Sequence, residues 1–297
     1  MSSDSDRRSI GSSASPAALR SAFLRVCRAE LEALKPGNVH THAGGHGMTV
    51  RDFLMSAEAA AAPLCEPGKA VGARIRAAVE ASWAAVPLNT NLGIVLLAAP
   101  LLCAAERGAG PLRTGLREVL DRLTVADAVD AFAAIRRASP AGLGRAGAQD
   151  VGTLPTVSLL DAMRLASDRD LIARQYATGY VEVFETGVAC ITRSRLAGNP
   201  PHWTATLVFL DFLCGFPDSH IARKLGTETA EQVRAEAARL RRLLPDDAAA
   251  AFPSLSAFDR ALKERGVNPG TSADLTVASL LASELGDMLG APAGEIG

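Results

Sequence analysis

Aromatic residues are scarce in this chain, at 4% of 297, and β-branched runs with period-two alternation are almost missing, which removes the ordinary signature of a sheet. Charge of one sign is lacking too. Lys and Arg number 31 against 32 Asp and Glu, a formal net charge of −1, so no bulk field draws nucleic acid or an anionic membrane, although a local basic pocket stays open. No apolar run reaches membrane-spanning length. The most apolar, Leu92 to Ala105, is too short, contains Pro100, and reads as a buried core helix. The five cysteines (Cys27, Cys65, Cys103, Cys190 and Cys214) are odd in number, widely spaced and without a C-x-x-C pair. That pattern suits buried free thiols in a reducing compartment rather than disulfides or a zinc ribbon. The opening MSSDSDRRSIGSSAS has no apolar stretch, hence no secretory signal, and a cytoplasmic protein with no membrane and no nucleic-acid partner is expected.

What the chain does have is Ala and Leu in abundance, both strong helix formers. Its 48% hydrophobic and 21% charged residues are those of a globular protein. Helical periodicity recurs after Pro16. Val71, Ile75, Val79, Trp83 and Val86 share one face, as do Val233, Ala237, Leu240 and Leu244, and then Leu275, Ala278, Leu281, Ala282 and Leu285. The spacing predicts an all-α fold, a single compact domain of about a dozen helices over 16–290, with a disordered tail at 1–15 and a flexible end at 291–297. The loosest stretch is Arg137 to Pro155, with Gly142, Gly144, Gly147 and Gly152. A loop that long inside a compact domain tends to be functional.

Polar clusters interrupt the helices. In the first, Glu30 precedes Lys35-Pro36-Gly37-Asn38-Val39-His40, and a glycine-rich loop with His42 and His46 follows. Lys35 reads either as a phosphate contact beside glycines or as a solvated turn lysine. Three histidines within seven residues invite a metal reading, but the H-x-H-x3-H spacing fits no zinc signature, and substrate hydrogen bonding or plain loop exposure stands ahead of it. Asn89-Thr90-Asn91 enters the apolar helix, either as a cap or as amide groups beside a helix N-terminus facing an anion. Asp150 lies in the glycine-rich loop, where a carboxylate serves as a base, a Mg²⁺ ligand or an ordinary surface charge. Asp218 is a fair N-cap. Arg223 and Lys224 fit either a helix C-terminus or phosphate oxygens. Asn268 leads to Thr271 and Asp274, whose spacing is that of a capping box.

In order, KPGNVH, MTVRDFLMSA, NTNLGIVLLAAPL, Asp170–Phe184, FPDSHIARKLG and NPGTSADLTVASLL resemble the triphosphoribosyl-dephospho-CoA synthase family over roughly Ala18 to Leu285. The resemblance implies a helical transferase, a pentosyltransferase that binds ATP as a substrate. In it the ribose 2′-hydroxyl of 3′-dephospho-CoA attacks C1′ of the ATP ribose and expels adenine, leading to an acyl-carrier prosthetic group. Implied roles follow: Glu30 and Asp150 as catalytic carboxylates; Lys35, Arg223 and Lys224 on phosphates; Asn38, His40, Asn89, Thr90, Asn91, Asp218, Asn268 and Thr271 for substrate; Asp150 and Asp274 for Mg²⁺. On this reading, Lys35→Ala and Asp150→Asn fold normally yet lose turnover. The chain departs from the family pattern at Gly47, where an acidic residue is common, and at Gln149-Asp150-Val151-Gly152, where His-Asp-Val-Arg is common. Two alternatives stand beside the main reading: an ATP-dependent transferase for another cofactor, of the methanopterin or methanofuran kind, or a non-catalytic nucleotide-binding helical protein.

Overall fold

The structure, a computed structural model, describes residues 14–108, 110–138, 151–245 and 247–290. Among them are fourteen α-helices and one π-helical turn, and no strand beyond two isolated bridges, His40 with Ala43 and Gly45 with Met48. The first six helices are α1 (Pro16–Glu32), α2 (Val50–Leu64), α3 (Val71–Ala85), α4 (Leu92–Arg107), α5 (Leu112–Asp121) and α6 (Val125–Ala138). Next come α7 (Leu159–Ala166), α8 (Leu171–Thr178), the π-helical turn (Val183–Val188), α9 (Ala189–Leu196) and α10 (Pro201–Gly215). The chain closes with α11 (Ser219–Leu225), α12 (Thr227–Leu243), α13 (Ala248–Glu264) and α14 (Gly270–Met288). The expected all-α architecture is present, and α3, α12 and α14 fall on the three periodic stretches. Ser15, counted with the tail by sequence, caps α1 by accepting from the Ala18 N–H. Residues 1–13 and 291–297 of the expected tails, and Asp150, lie outside the described residues.

Helix α4 runs through the centre. Every residue from Leu92 to Ala105 is buried, and α14, α5, α3 and α8 pack around it. Pro100 sits inside α4 and has no N–H to give the Leu96 carbonyl one turn back. The Tyr176 hydroxyl donates to that carbonyl at 2.6 Å, and Tyr180 donates to Leu97 O at 3.1 Å. The two tyrosines of the chain thus satisfy buried carbonyls around the proline and tie α8 and the π-helical turn to α4. Both phenols are fully buried, and burial first of all pushes their pKa values well above the ordinary value. No single helix among the described residues is long and apolar enough to cross a membrane, and the cysteines described are free thiols.

Candidate active site

A cavity of about 590 Å³ opens where α4, α8 and α14 begin. Leu92 and Gly93, Leu171 and Ile172, and Gly270 and Ala273 line it, so the first turns of three helices, of 16, 8 and 19 residues, meet at one space. Their N–H groups carry partial positive charge, the usual setting for phosphate. Part of the wall is apolar, built by Phe53 of α2, Phe132 and Ile135 of α6, and Met163 and Leu165 of α7.

On the polar side, the turn after α1 carries a chain of bonds. Lys35 is fully buried and pairs with the Glu30 carboxylate. Its ammonium also donates to Asn38 Oδ1 at 3.1 Å, and Asn38 Nδ2 donates to Asn268 Oδ1 at 2.8 Å. Glu30, Asn38 and Asn268 line the cavity; Lys35 stands behind them. Burial pushes Glu30 upward in pKa and Lys35 downward, and their mutual contact resists both shifts. Gly37 makes the turn possible. Its φ is +85°, and an added Cβ would lie 2.9 Å from Pro269 Cδ. Its N–H donates to Asp259 Oδ1 at 2.8 Å. That carboxylate also holds His40 at 3.3 Å and Lys263 at 2.9 Å. Burial raises the pKa of Asp259, but these donors outweigh it and leave the group lowered.

Asp274 lies one turn into α14, on the cavity wall. Its carboxylate has no hydrogen-bond or ion-pair partner among the described residues. Burial holds it protonated well above the ordinary range, and the Asp218 and Glu30 carboxylates add to this against Arg223. The first turn of α4 approaches it so closely that a Cβ on Gly93 would stand 2.1 Å from Asp274 Oδ2. At the start of α8, Asp170 caps the helix with one oxygen, accepting from the Ile172 and Ala173 N–H groups at 2.9 and 3.0 Å. Its other oxygen takes Arg223 at 2.5 Å, whose Nε is buried without a partner among the described residues.

Several residues singled out by sequence have other tasks. The capping box expected at Thr271 and Asp274 does not form. Helix α14 already begins at Gly270 with no side-chain cap, and its Ser272 N–H is taken instead by Asp218 Oδ2 at 2.7 Å. Asp218 also caps α11 through the His220 and Ile221 N–H groups. With Thr271 Oγ1 accepting from His220 N at 3.1 Å, it forms the joint between α11 and α14 rather than part of the wall. Lys35 is no solvated turn lysine. The three histidines form no metal-holding group among the described residues: His40 faces Asp259 and lies 5.8 Å from the His42 ring, His42 stacks edge-on to Phe252 at 5.3 Å, and His46 Nε2 bonds Gly37 O at 2.8 Å. Thr90 and Asn91 are buried and tie α4 to α2 and α3 through Ser56 and Ser82. Asn89 accepts from Leu92 N at 3.4 Å at the cavity mouth. Lys224 is exposed and outside the wall.

Sequence reasoning missed Arg169, Asp170, Arg174 and His220, all of which line the cavity. Their signal was present: they lie in or beside the Asp170–Phe184 and FPDSHIARKLG segments, but as ordinary turn, cap and helix-face residues.

An all-helical fold whose helix N-termini, carboxylates, amides and arginines surround one large cavity defines an enzyme that handles a phosphorylated small molecule. A family model described as ATP:dephospho-CoA triphosphoribosyl transferase matches residues 16–292, and the chain belongs to that family. Its activity is that of a triphosphoribosyl transferase, with ATP and dephospho-CoA as small-molecule substrates. The fold is similar to the crystal structure of an Archaeoglobus fulgidus protein assigned as a triphosphoribosyl-dephospho-CoA synthase. The TM-score is 0.59 at 24% identity, covering 78% of this chain and 97% of that one. No functionally curated protein matches it.

Proposed function

We propose that the transfer takes place between Glu30 and Asp274, with Asn268 and Arg223 on the substrates. The observation that carries this is the convergence of three helix N-termini on a wall that holds two carboxylates of raised pKa. A carboxylate pushed upward is better matched to taking a proton near neutral pH. The 2′-hydroxyl of 3′-dephospho-CoA gives its proton to Glu30 as its oxygen bonds C1′ of the ATP ribose. The C1′–N9 bond breaks with its electron pair on adenine, which takes a proton from water as it leaves, and Glu30 then returns its proton to solvent. Glu30 holds Lys35 through Oε1, which leaves Oε2 for that proton. Asn38 spends both ends of its amide on Lys35 and Asn268, so the Asn268 NH₂ remains for a ribose hydroxyl or a base edge.

The donor set fits Mg²⁺. That ion takes one or two carboxylates and completes its shell with phosphate oxygens and water. Among the described residues no group of three or more His, Cys, Asp or Glu is arranged to hold a metal, so a cage made only of protein is not the arrangement offered. Asp274, unpartnered on the wall, would hold the ion, which supplies charge to offset the triphosphate. A cytoplasmic location accords with the free thiols.

The test is free adenine, followed by chromatography, from ATP, Mg²⁺ and 3′-dephospho-CoA. Adenine is expected only when both substrates are present, and Glu30→Gln is expected to slow its release by about 10² to 10⁴. ATP binding without adenine release would instead favour another acceptor or a binding-only protein.

A further inference from the structure

Arginines gather on the α8–α11 side of the cavity, and they are not alike. Arg223 gives one terminal nitrogen to Asp170, and its buried Nε has no partner among the described residues. Arg174 gives its Nε to Glu182 Oε1 at 2.5 Å and lies 5.9 Å from the Phe216 ring. Its two terminal NH₂ groups have no hydrogen bond among the described residues. Glu182 is buried, and its second oxygen accepts from Gln175 Nε2 at 2.9 Å. Gln175 is itself fully buried and accepts from the Val183 N–H at 3.2 Å. An unusual backbone sets this carboxylate in place. Gly179 and Tyr180 are both left-handed, at φ +69° and +63°, and the next turn is π-helical. A left-handed aromatic residue is costly, and π turns recur at functional sites. If the pair served packing alone, its cation would be sealed in. The Arg174 side chain is instead 47% exposed against 6% for Glu182, and it faces the cavity.

The neighbouring wall indicates which phosphate this arginine meets. Helix α7 packs on α8 and supplies Met163 and Leu165, with Phe132 and Ile135 beside them from α6. ATP ends in its triphosphate. The acceptor instead carries a diphosphate in its middle, with a long, partly apolar arm beyond. An arginine edge that adjoins an apolar wall fits the second shape, and the Asp274 end fits a phosphate chain carrying a divalent cation. Resting on the function proposed above, we infer that Arg174 binds the diphosphate of 3′-dephospho-CoA, and that Glu182 is its positioning residue.

Calorimetric binding of 3′-dephospho-CoA and of Mg-ATP, each alone, together with KM and kcat, tests this. Arg174→Gln is expected to weaken dephospho-CoA binding about 10- to 100-fold, the worth of charge-assisted hydrogen bonds, and to leave Mg-ATP binding unchanged. Glu182→Gln is expected to raise the acceptor KM less, with kcat and the ATP KM held. Arg174→Lys, which keeps the charge but loses the planar fork, is expected to fall between and serves if the Gln variant does not fold. A shift in Mg-ATP binding alone, or in neither ligand, would overturn the assignment while wild-type dephospho-CoA binding stands. A wild-type protein that binds Mg-ATP but no dephospho-CoA would overturn the acceptor reading, and this assignment with it.

Discussion

At the α1–α14 end of the cavity, charge is sealed. Lys35 is fully buried, Glu30 nearly so, and the Lys35 ammonium, the Gly37 N–H and the Asn38 amide find partners in Glu30, Asn38, Asp259 and Asn268. At the α8–α11 end, charge is half-open: Arg174 and Arg223 keep part of their surface and some of their donors free. The sealed end fixes geometry, because an ion pair out of water tolerates little displacement. The open end is left for something that arrives from solvent. Three substitutions probe how far this division holds, and a fourth marks its outer limit.

The largest effect belongs to the sealed end. Lys35→Met leaves the Glu30 carboxylate buried without its cation, and breaking one side of such a pair costs about 3–5 kcal/mol. Urea unfolding should show that loss, and Lys35→Met with Glu30→Gln should recover much of the stability but none of the turnover. This replaces the expectation that Lys35→Ala folds normally. A Lys35→Met protein as stable as the wild type would show that the end is not sealed.

Next is the gap between α4 and α14. On Gly93→Ala, the new methyl would stand 2.1 Å from Asp274 Oδ2 and 2.8 Å from Ile172 Cδ1, so both must move. A displacement of about 1 Å at a reacting group costs on the order of a hundredfold in rate. Adenine release should fall by that much while the far-ultraviolet helical signal is kept. Unchanged turnover would remove Asp274 from the centre of the reaction.

The fold was legible because its signal is repeated. Four turns of Leu and Ala at helical spacing outvote one Pro100, and Tyr176 supplies the bond the proline lacks. The π-helical turn was not legible, since six residues leave no period to detect. In the site, Glu30, Asn38, Asn89, Thr90, Arg223, Asn268 and Asp274 were singled out by sequence and line the cavity. Their clusters broke the apolar pattern, and a break shows in one dimension. Arg174 and Asp170 did not stand out, because a charged residue on a helix face and an aspartate just before a helix look like an ordinary solvated side chain and an ordinary cap. Thr271 was legible as a polar position but not in its role, and Asp218 only as the cap of its own helix: the Ser272 N–H of α14 is taken by Asp218 from the start of α11, and spacing records only caps within one segment.

A smaller effect is expected at Asp274, with the opposite sign. Folding raises its affinity for a proton. The folded state therefore holds more protons than the unfolded chain at pH values above about 4, the unfolded carboxyl pKa. Stability must fall as pH rises from there to the raised value, and above it the loss is complete. Asp274→Asn removes this slope. It should be more stable by roughly 1 kcal/mol near neutral pH, as substitutions at strained functional groups often are, with an advantage that grows as pH rises through that interval. Thermal unfolding across the pH range tests this. A variant less stable at every pH would mean that the carboxylate is satisfied in the fold rather than kept for a ligand.

The smallest effect marks where the open end stops. Lys224 neighbours Arg223 in sequence, and as a phosphate contact the two were indistinguishable. In the structure Arg223 turns to Asp170 and the cavity, whereas Lys224 is exposed on the last turn of α11 and absent from the wall. Its charge still reaches His220, whose pKa is lowered first by burial and then by Arg223 and Lys224, against Asp218. An exposed lysine of this kind is worth no more than about 0.5 kcal/mol. Lys224→Ala should leave unfolding and both substrate KM values unchanged within error, while Arg223→Ala strips Asp170 of its cation and weakens substrate binding. If Lys224→Ala raised KM as much as Arg223→Ala does, the ligand would extend past the described wall along α11, and the open end would be wider than the cavity that defines it.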